Sequence, residues 1–193
     1  MRYATLRAIK ILGALGGYAA IAICTVYITN SAAQSAKENQ SQANTAVRST
    51  DASPIYGVTI PAGYRDWTLI SVTHEEGDFN QLRAQLGNAL AVKAYREGKF
   101  PFPDGSIIVA LHWKRVPSDE DNKVFGRQQA FVAGPAVNMQ VMVKDSKKYA
   151  ATGGWGFGDF KDGKPSDRAL HEKCFPCHIP AKDSDYVFSR YAP

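Results

Sequence analysis

This 193-residue sequence predicts an α+β domain with an antiparallel sheet and few helices. Two observations carry that expectation. Apolar residues recur mainly with a two-residue period, the signature of half-buried strands. Only two stretches carry the start and stop signals of a helix.

In chain order, Trp67 to Val72 is the first expected strand, and a helix follows within Asn80 to Glu97, closed by Gly98. Ile107 to Trp113 is the next strand, bounded by Pro103-Asp-Gly105 and Pro117. The acidic run Ser118 to Lys123 resembles a metal loop but reads as a solvated hairpin loop. Val137, Met139, Val141 and Val143 alternate with Asn138, Gln140 and Met142, which predicts a strand ending at Asp145-Ser146. Gly154 to Phe160 reads as extended. Trp155 and Phe157 then share one face, and Gly154, Gly156 and Gly158 leave the other bare, open to a flat group such as porphyrin or to neighbouring backbone. The second helix starts from Ser166 or Asp167 as N-cap and runs into a cysteine motif. Pro180 stops it from continuing.

Residues 1–33 stand apart from this domain. Arg2, Arg7 and Lys10 precede an uncharged apolar run from Ile11 to Ile28, followed by Ser31-Ala32-Ala33. This is an export signal, and its length suits either cleavage after Ala33 or an uncleaved membrane anchor. Cys24 reads as a packed apolar side chain within it. Residues 34–54 are polar and read as a linker, leaving residues 55–193 as one folded domain. The expected location is the periplasm, soluble or tethered to the inner membrane.

Charge excludes one class of partner. The formal net charge is +5, but beyond residue 33 twenty basic residues face eighteen acidic ones. That balance is no footprint for nucleic acid.

Cys174-Phe-Pro-Cys177-His178 carries the chemistry. Two thiols spaced by two residues reach the two vinyl groups of haem, while the adjacent histidine ligates the iron. One covalent haem c per chain is the implied cofactor, with Cys174 and Cys177 as attachment points and His178 as the metal ligand. Three rivals are weaker. A thioredoxin-like dithiol belongs early in a βαβ unit, a zinc site of His171, Cys174, Cys177 and His178 lacks a distant ligand pair, and a Cys174–Cys177 disulfide staples almost nothing. No Met or His follows His178, so a sixth iron ligand must come from Met139, Met142, His74, His112 or His171. Met139 and Met142 read as core filling and His171 as a surface residue of its helix, so an open sixth position is expected.

Several segments together resemble a known family. Val143 to Ala150, Gly153-Gly-Trp-Gly-Phe157, the cysteine motif and Asp185 to Pro193 are similar to the cytochrome P-460 family, which includes the cytochromes c′-beta. The resemblance implies a sheet-rich, often dimeric fold with one five-coordinate c-type haem beneath an aromatic distal pocket; Trp155 and Phe157 of the extended segment are candidate cofactor-binding residues. It also implies two activities. Cytochromes P-460 oxidise hydroxylamine and carry a lysine, on the strand after an Asp-Gly turn, bonded covalently to the porphyrin. Cytochromes c′-beta bind gases such as nitric oxide. Counting from Asp104-Gly105, the lysine position falls on Ala110, which favours a protein that binds a small gaseous or nitrogenous ligand and exchanges electrons with a redox partner. If Ala110 faces the porphyrin, Ile108 and His112 point to the same side. Ala110 and His112 are therefore the distal candidates, with the strand's exposed end as the alternative place for His112.

Overall fold

A computed structural model describes residues 51–192. The expected signal or anchor, Cys24 and residues 34–50 of the expected linker lie outside the described residues. No helix among the described residues is long and apolar enough to cross a membrane.

Six strands form one antiparallel sheet in sequential order: β1 Thr68–Glu75, β2 Gln81–Gly87, β3 Ile107–Pro117, β4 Phe131–Lys144, β5 Trp155–Lys161 and β6 Lys164–Pro165. The helices are α1 Ala89–Glu97, α2 Asp119–Phe125, α3 Arg168–His171 and α4 Cys174–His178. The expected sheet-rich α+β class is what forms, and the strands anticipated around Trp67, Ile107, Val137 and Gly154 are all present.

The first expected helix is only half right. Gln81 to Gly87 is strand, and α1 starts at Ala89, where the Asn88 side chain accepts the Ala91 N–H, and ends at Gly98 in the left-handed region. Gln81-Leu-Arg-Ala-Gln-Leu consists of good helix formers, yet pairing on both sides overrides propensity. The acidic run after Pro117 is a further correction. Ser118 caps Asp121 N and starts α2, with Asp119, Glu120 and Asp121 in the first turn, where the helix dipole favours negative charge.

Register fixes which side chains share a face. His112, Ala110 and Ile108 on β3 stand opposite Arg83, Gln85 and Gly87 on β2 and Asn138, Gln140 and Met142 on β4. Gln140 and Met142 in turn pair with Asp159 and Phe157 on β5. This is called the Ala110 face. Helix α1 covers one end of it, since a side chain on Gly87 would meet Ile70, Val92 and Ala91. The opposite face carries Val109, Val141 and Phe160, all at most 1% exposed. There the bare side of Gly156 is filled by the Tyr149 ring and that of Gly158 by the Phe160 ring, with Val58 beside it. The glycines therefore make room for protein side chains, not for a porphyrin.

The outer sides of β1 and β5 each take a hydrogen bond from a terminal segment, which limits the unpaired strand edge. Ala192 N–H donates to Ile70 O on β1 at 2.9 Å. The Ser53 hydroxyl, itself buried, donates to Phe157 O on β5 at 2.8 Å.

Candidate cofactor site

The cysteine motif occupies one short helix. Cys174, Cys177 and His178 lie at positions i, i+3 and i+4, so α4 gathers both thiols and the imidazole on one side. Asp167 caps α3, as anticipated, by accepting Leu170 N–H, but the helix breaks after His171 and restarts at Cys174. Pro180 stands in the first turn of a 3-10 segment, Ile179–Ser184, that succeeds α4.

Both thiols are free. Burial, assisted by Asp159 and Cys177, pushes the Cys174 thiol up to about 11. A redox-active dithiol needs a depressed thiol, so this environment is the wrong one for thioredoxin-like chemistry.

His178 is oriented by three contacts. Its Nδ1 donates to Tyr186 O at 2.7 Å, which leaves Nε2 as the nitrogen bearing the lone pair. Its ring lies between Phe157 at 4.9 Å and Phe188 at 5.2 Å. Burial holds its pKa below the usual imidazole value, opposed by the Tyr186 hydrogen bond and reinforced by Arg83, so the ring is neutral and available to a metal.

Phe157 ties this imidazole to the sheet, because it belongs to the face that carries Ala110 and His112. Ala110 is half-buried and Gln140 exposed, whereas Gln85 and Asp159 beside them are at most 2% exposed. A polar network surrounds that opening. Asp159 accepts Asn138 Nδ2 at 2.6 Å, Gln140 Nε2 at 3.3 Å and the Ser166 hydroxyl at 2.5 Å, while Arg83 pairs with Glu75.

His112 is 4% exposed, so it is not at an exposed strand end. Its Nδ1 meets Gln81 Oε1 at 3.1 Å, and its Nε2 is buried with no partner. Arg83 Nε, on the residue directly opposite, is orphaned too. Burial first and Arg83 second push the His112 pKa down to about 4, so it is neutral at pH 7.

The residues present fit a haem. One neutral imidazole has its ring orientation fixed and Nε2 free, two unpaired thiols lie on the same turn, and three orphaned nitrogens, of Arg83, His112 and Trp155, stand on the sheet face joined to that imidazole through Phe157. Buried unpaired groups of this kind commonly mark a missing partner.

The other expected residues sort by face. Trp155 is fully buried against Phe102 and lies 5.0 Å beneath the Lys144 ammonium, so it is core beside the site. Met139 points to the opposite face, and His74 is exposed there beside Glu76. His171 is a correction. Expected on a helix surface, it is fully buried, with Nε2 accepting Asp159 N–H and Nδ1 donating to Asp167 O. Both nitrogens are engaged, so neither a zinc set nor an iron can draw on it. Met142 and His112 remain on the Ala110 face.

Sequence reasoning missed Arg83 and Gln85 because β2 was expected to be helical. It also missed the Tyr186 carbonyl, which leaves no trace in side-chain patterns. The alternation of Asn138, Gln140, Met142 and Lys144 could have drawn attention to an inward lysine.

Residues 61–189 match the family model described as Cytochrome P460. No curated protein matches significantly.

Proposed function

The chain belongs to the cytochrome P460 family, and on that premise we propose that it is an exported mono-haem c-type cytochrome that binds small gases such as nitric oxide at an open iron position and exchanges electrons with a partner protein. Cys174 and Cys177 would hold the porphyrin through thioethers and His178 Nε2 would ligate the iron. The haem supplies the redox couple and the ligand-binding metal. The chain's own residues do the rest. Tyr186 O fixes the His178 tautomer, Phe157 and Phe188 confine its ring, and His112 and Arg83 offer buried nitrogens on the Ala110 face.

The observation that carries the choice of ligand binding over hydroxylamine oxidation is that, among the described residues, no uncommitted amine stands beside Ala110. Its strand neighbours are Gln85 and Gln140. Lys114, further along the same strand, donates to Phe79 O at 3.2 Å, and Lys144 is committed to Asp185. The charged start and apolar run of residues 1–28 support export, with cleavage or anchoring both compatible. Dimerisation follows from the resemblance alone.

The test is an optical spectrum of the purified protein, before and after nitric oxide and hydroxylamine. Covalently retained haem, a five-coordinate high-spin spectrum and a shift with nitric oxide are expected, without hydroxylamine consumption. Bound zinc and no haem would end the proposal. Turnover of hydroxylamine would transfer it to the oxidoreductase reading.

A further inference from the structure

One buried ion pair beside the site, Lys144 with Asp185, has no part in the proposed function. Lys144 closes β4 with its ammonium 2.7 Å and 2.9 Å from the two Asp185 oxygens, 3.1 Å from Gly153 O and 5.0 Å from the Trp155 ring. Lys144 is 5% exposed and Asp185 8%. Asp185 also accepts Phe102 N–H at 2.8 Å. Isolated charges would not persist at this depth, and here each has its partner in place.

The pair sits at an unusual point of the backbone. Asp185 and Tyr186 are consecutive non-glycine residues with φ of 51° and 63°. That conformation is disfavoured for residues with a Cβ and survives where surrounding contacts over-determine it. Those contacts are the backbone bonds Asp185 N–H to Lys182 O and Tyr186 N–H to Ala181 O that close the 3-10 segment, the Lys144 ion pair on Asp185, and the packing of the Tyr186 ring on Gly153, where a Cβ would fall 2.1 Å from the ring. The strained turn has one visible product: the Tyr186 carbonyl meets His178 Nδ1 at 2.7 Å.

We propose that the Lys144–Asp185 ion pair is a positioning device for His178, holding the Tyr186 carbonyl against Nδ1 and so setting how strongly the imidazole donates to the iron. The inference rests on His178 being the axial ligand. A firm hydrogen bond from Nδ1 makes a ligating imidazole more basic and stabilises the ferric state. Releasing the turn weakens that bond and moves the couple toward ferrous iron.

The experiment uses the full haem-loaded protein with Lys144→Met, Asp185→Asn and Lys144→Arg. The reduction potential and the iron–histidine stretching band of the ferrous form are read beside haem content. Lys144→Met should retain haem, lower the stretching frequency and shift the ferric–ferrous equilibrium about tenfold toward ferrous, ~59 mV for one electron. Asp185→Asn should shift less, because its side-chain oxygen can still accept Phe102 N–H. Lys144→Arg should restore most of the effect, since a cleft of about 570 Å³ beside Lys144, Gly153 and Asp185 has room for the longer side chain. Asn122→Ala, which loosens the distant turn before β4 by removing the acceptor for Gln129 and Ala130 N–H, should leave both readings unchanged. Haem-bearing variants with wild-type potential and stretching band overturn the inference. So does failure of all three to take up haem, because that would make the pair an assembly element instead of a tuning one. Unsubstituted protein whose iron is not bound to His178 would refute the functional reading itself, a separate result.

Discussion

His171 closes the free edge of β5 by accepting the Asp159 backbone N–H on Nε2 at 3.1 Å. Its other nitrogen is tied to Asp167 O at 2.8 Å, and the residue is fully buried. The same strand residue, through its carboxylate, organises Asn138, Gln140 and Ser166. His171 thus anchors the helical segment leading to Cys174 onto the sheet beside the polar network. His171→Ala leaves a buried N–H unpaired and a cavity, so a loss of about 3 kcal/mol is expected in denaturant unfolding. Hydrogen exchange at Asp159 should accelerate. Stability within a few tenths of wild type would show that the edge bond contributes nothing.

Gly156 is fixed by its neighbour. A Cβ there would lie 2.2 Å from the Tyr149 ring, and that ring is held by its hydroxyl donating to Tyr56 O at 3.0 Å with 6% exposure. Gly156→Ala should therefore cost about 2–3 kcal/mol, the usual penalty for overpacking a closed core. Tyr149→Leu in the same chain should recover part of it. A Gly156→Ala protein as stable as the parent would mean that Tyr149 moves freely.

These two residues show what was legible and what was not. The strands around Ile107 and Val137 announced themselves by alternation, and the motif at Cys174 by spacing, because both are local patterns. The identity of the group filling the bare side of Gly156 is a contact across the fold, and only assembly reveals that it is Tyr149. His171 was misjudged for a related reason: a helix of four residues has too little length for periodicity to say which side is buried. β2 failed differently. Its helix-forming residues are forced straight by β1 and β3, and Arg83 and Gln85 became site residues only with that correction.

His112 makes the fold sensitive to acid. Folded, it titrates near 4, against an ordinary value of 6.5. Between those values the unfolded chain binds more protons, so stability rises with pH. The contribution is complete above about pH 6.5 and is lost progressively as pH falls toward 4. Two and a half pKa units correspond to ~3 kcal/mol as an upper figure. His112→Gln should remove this dependence, so the two proteins' unfolding free energies should differ by ~2–3 kcal/mol more at pH 7 than at pH 4.5. Parallel pH profiles would mean that the imidazole is not kept neutral by burial.

On the proposed function, Ala110 would leave the porphyrin without a third attachment. It faces Gln85 and Gln140 across the strands, and the lysines on its face at 114 and 144 are engaged elsewhere. The haem peptide should therefore weigh as an ordinary haem carrying only the Cys174 and Cys177 links, with a Soret band lacking the large red shift of a modified porphyrin. Ala110→Lys supplies the complementary case. It places an amine where the family resemblance puts the cross-linking lysine, at a cost of about 1–3 kcal/mol for enlarging a half-buried side chain. Mass spectrometry of that variant should gain a third attachment, and hydroxylamine consumption should rise above background. If the unsubstituted chain already shows a third attachment together with hydroxylamine turnover, an amine other than the two engaged lysines reaches the porphyrin, and hydroxylamine oxidation replaces gas binding as the function.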